Sequence, residues 1–488
     1  MRSNQTKNQH LMWRAGFGPA IDQLDQLKTI KPTDLFKALQ KASVKKPVYM
    51  DVADDYLKGI VMGAGEIGRQ QRKKELDEDD RKMLRQKQRD GIKSLNLFWL
   101  NEMVNTQAQL REKMAFFWHG HFASRNINVF YQQQLLDIIR QHALGDFRTL
   151  LHEVSQSAAM LNFLNAAQNK KGQPNENFAR EVMELFTMGR GHYSENDIKE
   201  AARAFTGWSA NVKGEFIFRP FQHDAGTKTV FGKTGKWKGE DVLDMLLEQK
   251  QTATYITEKI YRFFVNENVD TKHVAWLANR FYKNEYHIGK LMEDIFTSDW
   301  FYDDKNIGAR IKSPIELIAG IQRAIPMTIG NEEAILQMQR ILGQLLFYPP
   351  NVAGWPGGKA WIDSSSLMMR MRLPQLINDR DELNIRPKTD DDMTGGRDED
   401  SMTPTNNKKG YGRVGKPIQA DVRWQQLTSQ FEKIPKEQLL TALQNSLLQV
   451  TPKFSPDVIK GFIDSSGREA YIRSAAIQIM STPEYQLC

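Results

Sequence analysis

The sequence predicts a mainly α-helical, multi-helical globular array with one small β-hairpin and a disordered insertion. Three observations predict it. Apolar residues recur with a 3.6-residue period through most of the chain, strand-like alternation is scarce, and 40% hydrophobic with 26% charged residues over 488 positions is an ordinary globular composition.

In chain order, the helical period runs through 95–117, 132–143, 177–188, 198–205, 242–247, 253–265, 274–282, 314–325, 333–346 and 365–372, and again through 437–448 and 468–479. Alternation is best over Gly214-Glu215-Phe216-Ile217-Phe218-Arg219, after the turn-prone Asn211-Val212-Lys213-Gly214, which predicts the hairpin. Residues 386–417 are dense in Asp, Gly, Asn, Lys and Thr and almost free of aliphatic side chains, the composition of a disordered insertion or linker. The expected organisation is a main helical domain over 1–385, that insertion, and C-terminal helices over 418–488 packed on the main domain. No repeat of 20–50 residues is visible.

No apolar run approaches the roughly 18 residues needed to cross a bilayer, so no membrane span is expected. The stretch Met1 to His10 has no apolar segment behind its basic residues. As written it is not a secretory signal, and the expected address is cytoplasmic, with export the alternative for a trimmed chain. Cys488 is the one cysteine, which excludes an intramolecular disulfide and a cysteine-based zinc site. A net charge of +8 invites a nucleic-acid partner. The densest basic run, Arg69 to Arg89, is however interleaved with Glu75, Asp77, Glu78, Asp79 and Asp80. That is a solvated helix laced with i,i+4 pairs, so nucleic acid is not an expected partner.

Three motifs imitate functional signatures. Gly63-Ala64-Gly65-Glu66-Ile67-Gly68 fits the dinucleotide fingerprint literally, but the charged stretch that follows is no apolar-faced helix and no β/α units surround it. Gly232-Lys233-Thr234 resembles the end of a phosphate-binding loop, yet Thr227 stands where the first glycine belongs. Ser313-Pro314-Ile315-Glu316 reads as a helix capping box rather than a reactive serine beside Lys312.

The residues that chemistry needs concentrate in three stretches. Trp118-His119-Gly120-His121-Phe122 follows the apolar 95–117 helix, and in an extended path both imidazoles would reach one ion, whereas in a helix they diverge by about 200°. On the 177–188 helix, Asn177, Arg180, Glu181 and Glu184 fall within an arc of roughly 100° beside Asn175, away from the apolar stripe of Phe178, Val182, Leu185 and Phe186. In Phe221-Gln222-His223-Asp224-Ala225-Gly226-Thr227-Lys228, His223 and Asp224 are candidate ligands or a base with its partner, and Lys228 a candidate for holding an anionic group. The functional reading gathers His119, His121 and His223 around a divalent metal ion, with Glu181, Glu184, Arg180 and Asp224 as catalytic groups and Asn175, Asn177 and Lys228 lining the same polar cleft. The competing reading is a buried polar network in which Arg180 neutralises Glu181 or Glu184 and the histidines bond backbone carbonyls. Farther on, the Pro/Gly-rich loop from Phe347 to Trp361 carries Trp355 and Trp361, either a stacking platform for a ligand or a clamp holding the loop on the core.

Taken together, His10-Leu11-Met12-Trp13-Arg14-Ala15-Gly16-Phe17-Gly18-Pro19, the Trp118–Phe122 element, the 175–189 helix, Tyr193 to Trp208, His223 to Gly232 and Pro349 to Trp361 resemble the bacterial family catalogued as domain of unknown function 1800. The resemblance covers roughly 8–480, interrupted by the 386–417 insertion. It implies a largely helical fold and supplies no catalytic residue or cofactor. It also implies a candidate partner, the product of an accompanying gene with a sulfatase-like fold. Two functions are therefore expected from the sequence: a metal-dependent hydrolase-like enzyme, or a non-catalytic helical scaffold that binds a partner.

Overall fold

The computed structural model describes residues 2–63, 78–211, 213–381, 418–453 and 455–488. The expected insertion at 386–417 lies outside them, as do Ala64 to Gly68 of the dinucleotide-like motif and the charged stretch up to position 77.

Helices dominate, and the periodic segments become helices almost where the pattern places them: Val129–His142, Glu195–Ala204, Gly239–Glu248, Lys250–Phe264, Thr271–Lys283, Pro314–Ala324, Glu332–Leu342, Ser364–Asp379, Leu439–Leu447 and Arg468–Met480. The 95–117 run differs, being divided between Glu78–Asn105 and Gln109–His121. Gln109 joins the halves. Its amide donates to the carbonyls of Met103 and Thr106 and its Oε1 accepts from the Phe17 amide, so the interrupted backbone is satisfied without continuing the helix. The Gln109–His121 helix is buried along its length except at Gly120 and packs against Pro32–Ser43, Glu78–Asn105 and Val129–His142. It is the axis of the molecule.

The expected hairpin pairs Trp208–Ala210 with Phe216–Phe218, antiparallel, with Ser209 opposite Ile217. Two further small sheets were not expected. Lys228–Val230 pairs with Lys233–Gly235 across a tight turn in which both Phe231 and Gly232 have positive φ, so Gly232-Lys233-Thr234 is hairpin and not a phosphate loop. Met327–Ile329 pairs with Ala420–Val422, tying the C-terminal segment to the body. One hydrophobic core runs through all of this, from Leu11 to Tyr485.

Ser313 caps the Pro314–Ala324 helix as its motif predicts, and Glu316 closes the box by accepting from the Ser313 amide. Glu316 does more than cap. It is fully buried, ion-paired to Lys113 and 3.7 Å from Arg310, and the buried cations Arg14, Lys312 and Arg370 feel its charge. Backbone carbonyls supply the remaining partners: Arg14 donates to Asn306 and Cys488, Lys113 to Trp13, Lys312 to Tyr485 and Arg370 to Lys312.

Burial pushes the Glu316 carboxyl up, but the Lys113 ammonium and the Arg310 guanidinium more than reverse this and hold it at about 2, against an ordinary 4.5. A carboxyl depressed in this way adds stability that is present above pH 4.5 and is lost as pH falls towards 2. Glu316→Gln is expected to cost about 3–5 kcal/mol, because it leaves buried cations without their counter-charge. Urea unfolding at neutral pH checks this, and the gap between the two proteins should narrow in acid.

Candidate functional site

A cleft of about 500 Å³ opens beside the C-terminal end of the Gln109–His121 helix. Phe116, Phe117 and Phe263 give it apolar walls, and the loop carrying Trp355 and Trp361 lines it as well. Among its lining residues are four cations, Lys259, Arg262, Arg310 and Lys359, and one carboxylate, Glu267.

The loop is held by glycine geometry. Gly354 has φ 80°, and a Cβ there would run into the Gly120 carbonyl oxygen, so the middle of Trp118-His119-Gly120-His121-Phe122 is the surface on which the loop lies. Gly120 itself has open space where a Cβ would go, and it lines the cleft.

His119 and His121 do not take the extended path that would let them share an ion. Both are helical, and they diverge as the helical period requires. His119 anchors the loop: its Nε2 accepts from the amide of Phe347, a residue at φ 68°, and its ring packs among Trp99, Phe347 and Trp355. Burial drives its pKa down to about 3, so it is neutral. His121 reaches the cleft. Its Nε2 lies 3.1 Å from the carbonyl oxygen of Phe186, which can only accept, so Nε2 carries the proton and Nδ1 is bare. That Nδ1 is buried and without a hydrogen-bonding partner. Burial, helped by the Lys259 charge, holds the ring well below the ordinary histidine pKa.

The carbonyl that orients His121 belongs to a π-helix, Val182–Met188, which takes over from the short α-helix Asn177–Glu181. Of the four polar residues on the expected arc only Glu184 lies in the widened turn, and the side chains take separate partners. Arg180 pairs with Glu195 and Glu176 rather than with Glu181 or Glu184. Glu184 accepts from Arg190 and from the Tyr193 hydroxyl. Glu181 is half-buried, and burial together with the Glu184 charge raises its pKa. The amide of Asn177 donates to Leu164, and Asn175 accepts from the Asn177 backbone.

The third stretch is locked onto the end of Glu195–Ala204. His223 Nδ1 lies 3.0 Å from the Thr206 carbonyl oxygen, Asp224 pairs with Arg203 at 2.8 Å, and buried Lys228 donates to the Asp224 and Gly226 carbonyls. Among the described residues, no group of three or more His, Cys, Asp or Glu side chains stands together as a metal site. Of the candidate ligand, catalytic and stacking side chains named from the sequence, His121, Trp355 and Trp361 line the cleft.

Sequence reasoning missed Lys259 and Arg310. Lys259 left a signal: in the helix Lys250–Phe264 it sits only about 40° from Phe263 and about 60° from Ile256, a charge on the apolar face. Burial alone lowers it, to about 8, and no ion pair to it is seen among the described residues. Its ammonium stands 5.4 Å from the centre of the Tyr255 ring. Arg310 is buried against Phe263, 4.7 Å from the ring centre, and its Nη1 has no hydrogen-bonding partner. Nor does the buried Nε1 of Trp355.

The model of the family described as protein of unknown function (DUF1800) matches residues 10–487. The chain belongs to that family. No curated protein and no solved structure matches it. In this family member, the motif around Gly120 and the Pro/Gly-rich loop thus meet at one wall of one cleft.

Two glycines at that wall separate structure from cleft. Gly354→Ala is expected to destabilise the fold by about 1–3 kcal/mol, since it adds both strain and a collision with helix backbone. Gly120→Ala, helical and facing open space, should stay within about 0.5 kcal/mol of the parent or improve on it. Denaturant midpoints of the two variants check the contrast.

Proposed function

We propose that the cleft binds an organic anion with a planar apolar body, such as an aryl carboxylate. The observation that carries this reading is the placement of unpartnered polar atoms on its lining residues: Trp355 Nε1, Arg310 Nη1 and His121 Nδ1 all lack hydrogen-bonding partners, beside an ammonium at Lys259 that has no carboxylate. Buried polar atoms are paired in the great majority of cases, so such atoms on residues that line one cleft support a ligand that pairs them once the side chains turn towards it. The aromatic walls suit the body of such a ligand and the cations its charge. The surplus of buried cations around Glu316, behind the Arg310 wall, adds a positive field of the right sign.

A metal-dependent hydrolase is the finer alternative drawn from the sequence. Of its proposed ligands only His121 lines the cleft, while His119, His223, Asp224 and Glu184 are engaged elsewhere. A hydrolytic version of the reading therefore rests on His121 as a neutral base and not on the whole ligand set.

Titration with phenyllactate, followed by tryptophan fluorescence, tests the proposal. Saturable binding that weakens with salt is expected. Gly120→Met should abolish it by filling the cleft, and Lys259→Met should weaken it by about tenfold or more. Lys259→Met should also make the unliganded protein about 1–2 kcal/mol more stable, since it removes a recessed cation without a counter-charge. Binding that both variants leave unchanged would overturn the reading. No binding at all would favour the accessory role, in which the surface recognises a protein partner.

A further inference from the structure

We propose that Lys259 is a carbonyl-reactive amine, and that the ligand class of the cleft is the 2-oxo acids and related carbonyl-bearing anions, which it binds as a reversible imine. The inference rests on the anion-binding reading and deepens it.

Several features of the site converge on Lys259. Its ammonium has no carboxylate among the described residues and opens on a cleft walled by Phe117, Phe263 and Trp361. A lysine that merely held a structural position would pair with a carboxylate or with carbonyls, as Lys113, Lys228 and Lys312 do in this same chain. Arg310, on the same cleft, supplies the fixed charge for a carboxylate, which leaves the amine free to meet the neighbouring carbonyl carbon. Burial brings the amine to about 8, so roughly a tenth is the free base at pH 7, whereas an exposed lysine offers almost none.

The step balances without an added reagent. The Nζ lone pair forms a bond to the carbonyl carbon, the nitrogen gives up two protons, and the carbonyl oxygen departs as water, leaving a C=N bond with no change in oxidation state. The amine protons pass to the carbonyl oxygen as it leaves, and the neighbouring His121 imidazole, which feels the Lys259 charge, stays neutral.

The test uses the full chain with phenylpyruvate and cyanoborohydride, read by intact mass and peptide mapping, with phenyllactate as the analogue that lacks the carbonyl. One reduced adduct per chain is expected, located on Lys259, forming faster as pH rises through about 8 and suppressed by excess phenyllactate. Lys259→Met should lose it, and Lys259→Arg should lose it while still binding phenyllactate. If phenyllactate binds and phenylpyruvate leaves no adduct on Lys259, or labels exposed lysines to the same extent, the imine is overturned while the anion cleft stands. If neither compound binds, both readings fall. Phenyllactate protection in the unmutated protein gives the answer even where a variant fails to fold.

Discussion

Glu316 is the residue on which the arrangement of this chain most depends. It sits at the first turn of one helix, yet its carboxylate is the counter-charge for side chains from the N-terminal helix, the central Gln109–His121 helix, the Arg310–Lys312 segment and the Ser364–Asp379 helix. Those cations are fully or nearly removed from water, and their attraction to the charges at Cys488 and Glu316 does not repay that desolvation. The backbone supplies the rest through carbonyls of residues far apart in sequence, so distant parts of the chain must assemble before the charges are tolerable. Such a network specifies one arrangement more than it adds stability. Its remaining positive character reaches the cleft through Arg310, which belongs to both.

The cleft is assembled by backbone as much as by side chains. The π-helix turns the Phe186 carbonyl towards His121 and thereby fixes which nitrogen is bare. The Gly354–Gly120 contact sets the loop against the helix, and His119 holds the same loop at Phe347. The two histidines of one short motif thus divide their work: one fastens the wall, the other lines the cavity.

The helical class and most helix positions were legible because each helix buries an apolar stripe whose period is written locally. The Glu78–Asn105 and Gln109–His121 helices read as one because apolar spacing continues across Thr106 to Ala108, and the break is made by Gln109 bonding backward, an event with no periodic signature. The capping function of Glu316 was local and readable; its ion network, with partners from Arg14 to Arg370, was not. In the polar stretches, residue type was visible but facing was not. Helical continuation through His121 separated the imidazoles, and Arg180 and Glu184 found partners on neighbouring segments, Glu195 and Arg190, that the helical period does not announce. Lys259 was the readable exception, a charge on an apolar face, though lysine at such a position carries no motif of its own.

The conspicuous polar residues, Arg180, Glu184, His223, Asp224 and Lys228, are mutually satisfied, and a satisfied group has little free energy left to give a ligand. Binding energy is available where partners are missing, at Lys259, His121 and Trp355, and keeping such groups without hydrogen bonds or counter-charges lowers the stability of the unliganded fold. A chain that needed only a scaffold would gain by replacing Lys259 with an apolar residue, as the surrounding Ile256, Ile260 and Phe263 show the position would accept. A sequence with a cation there instead accepts that loss of stability at a cavity, and on the proposed reading an arriving anion offsets it.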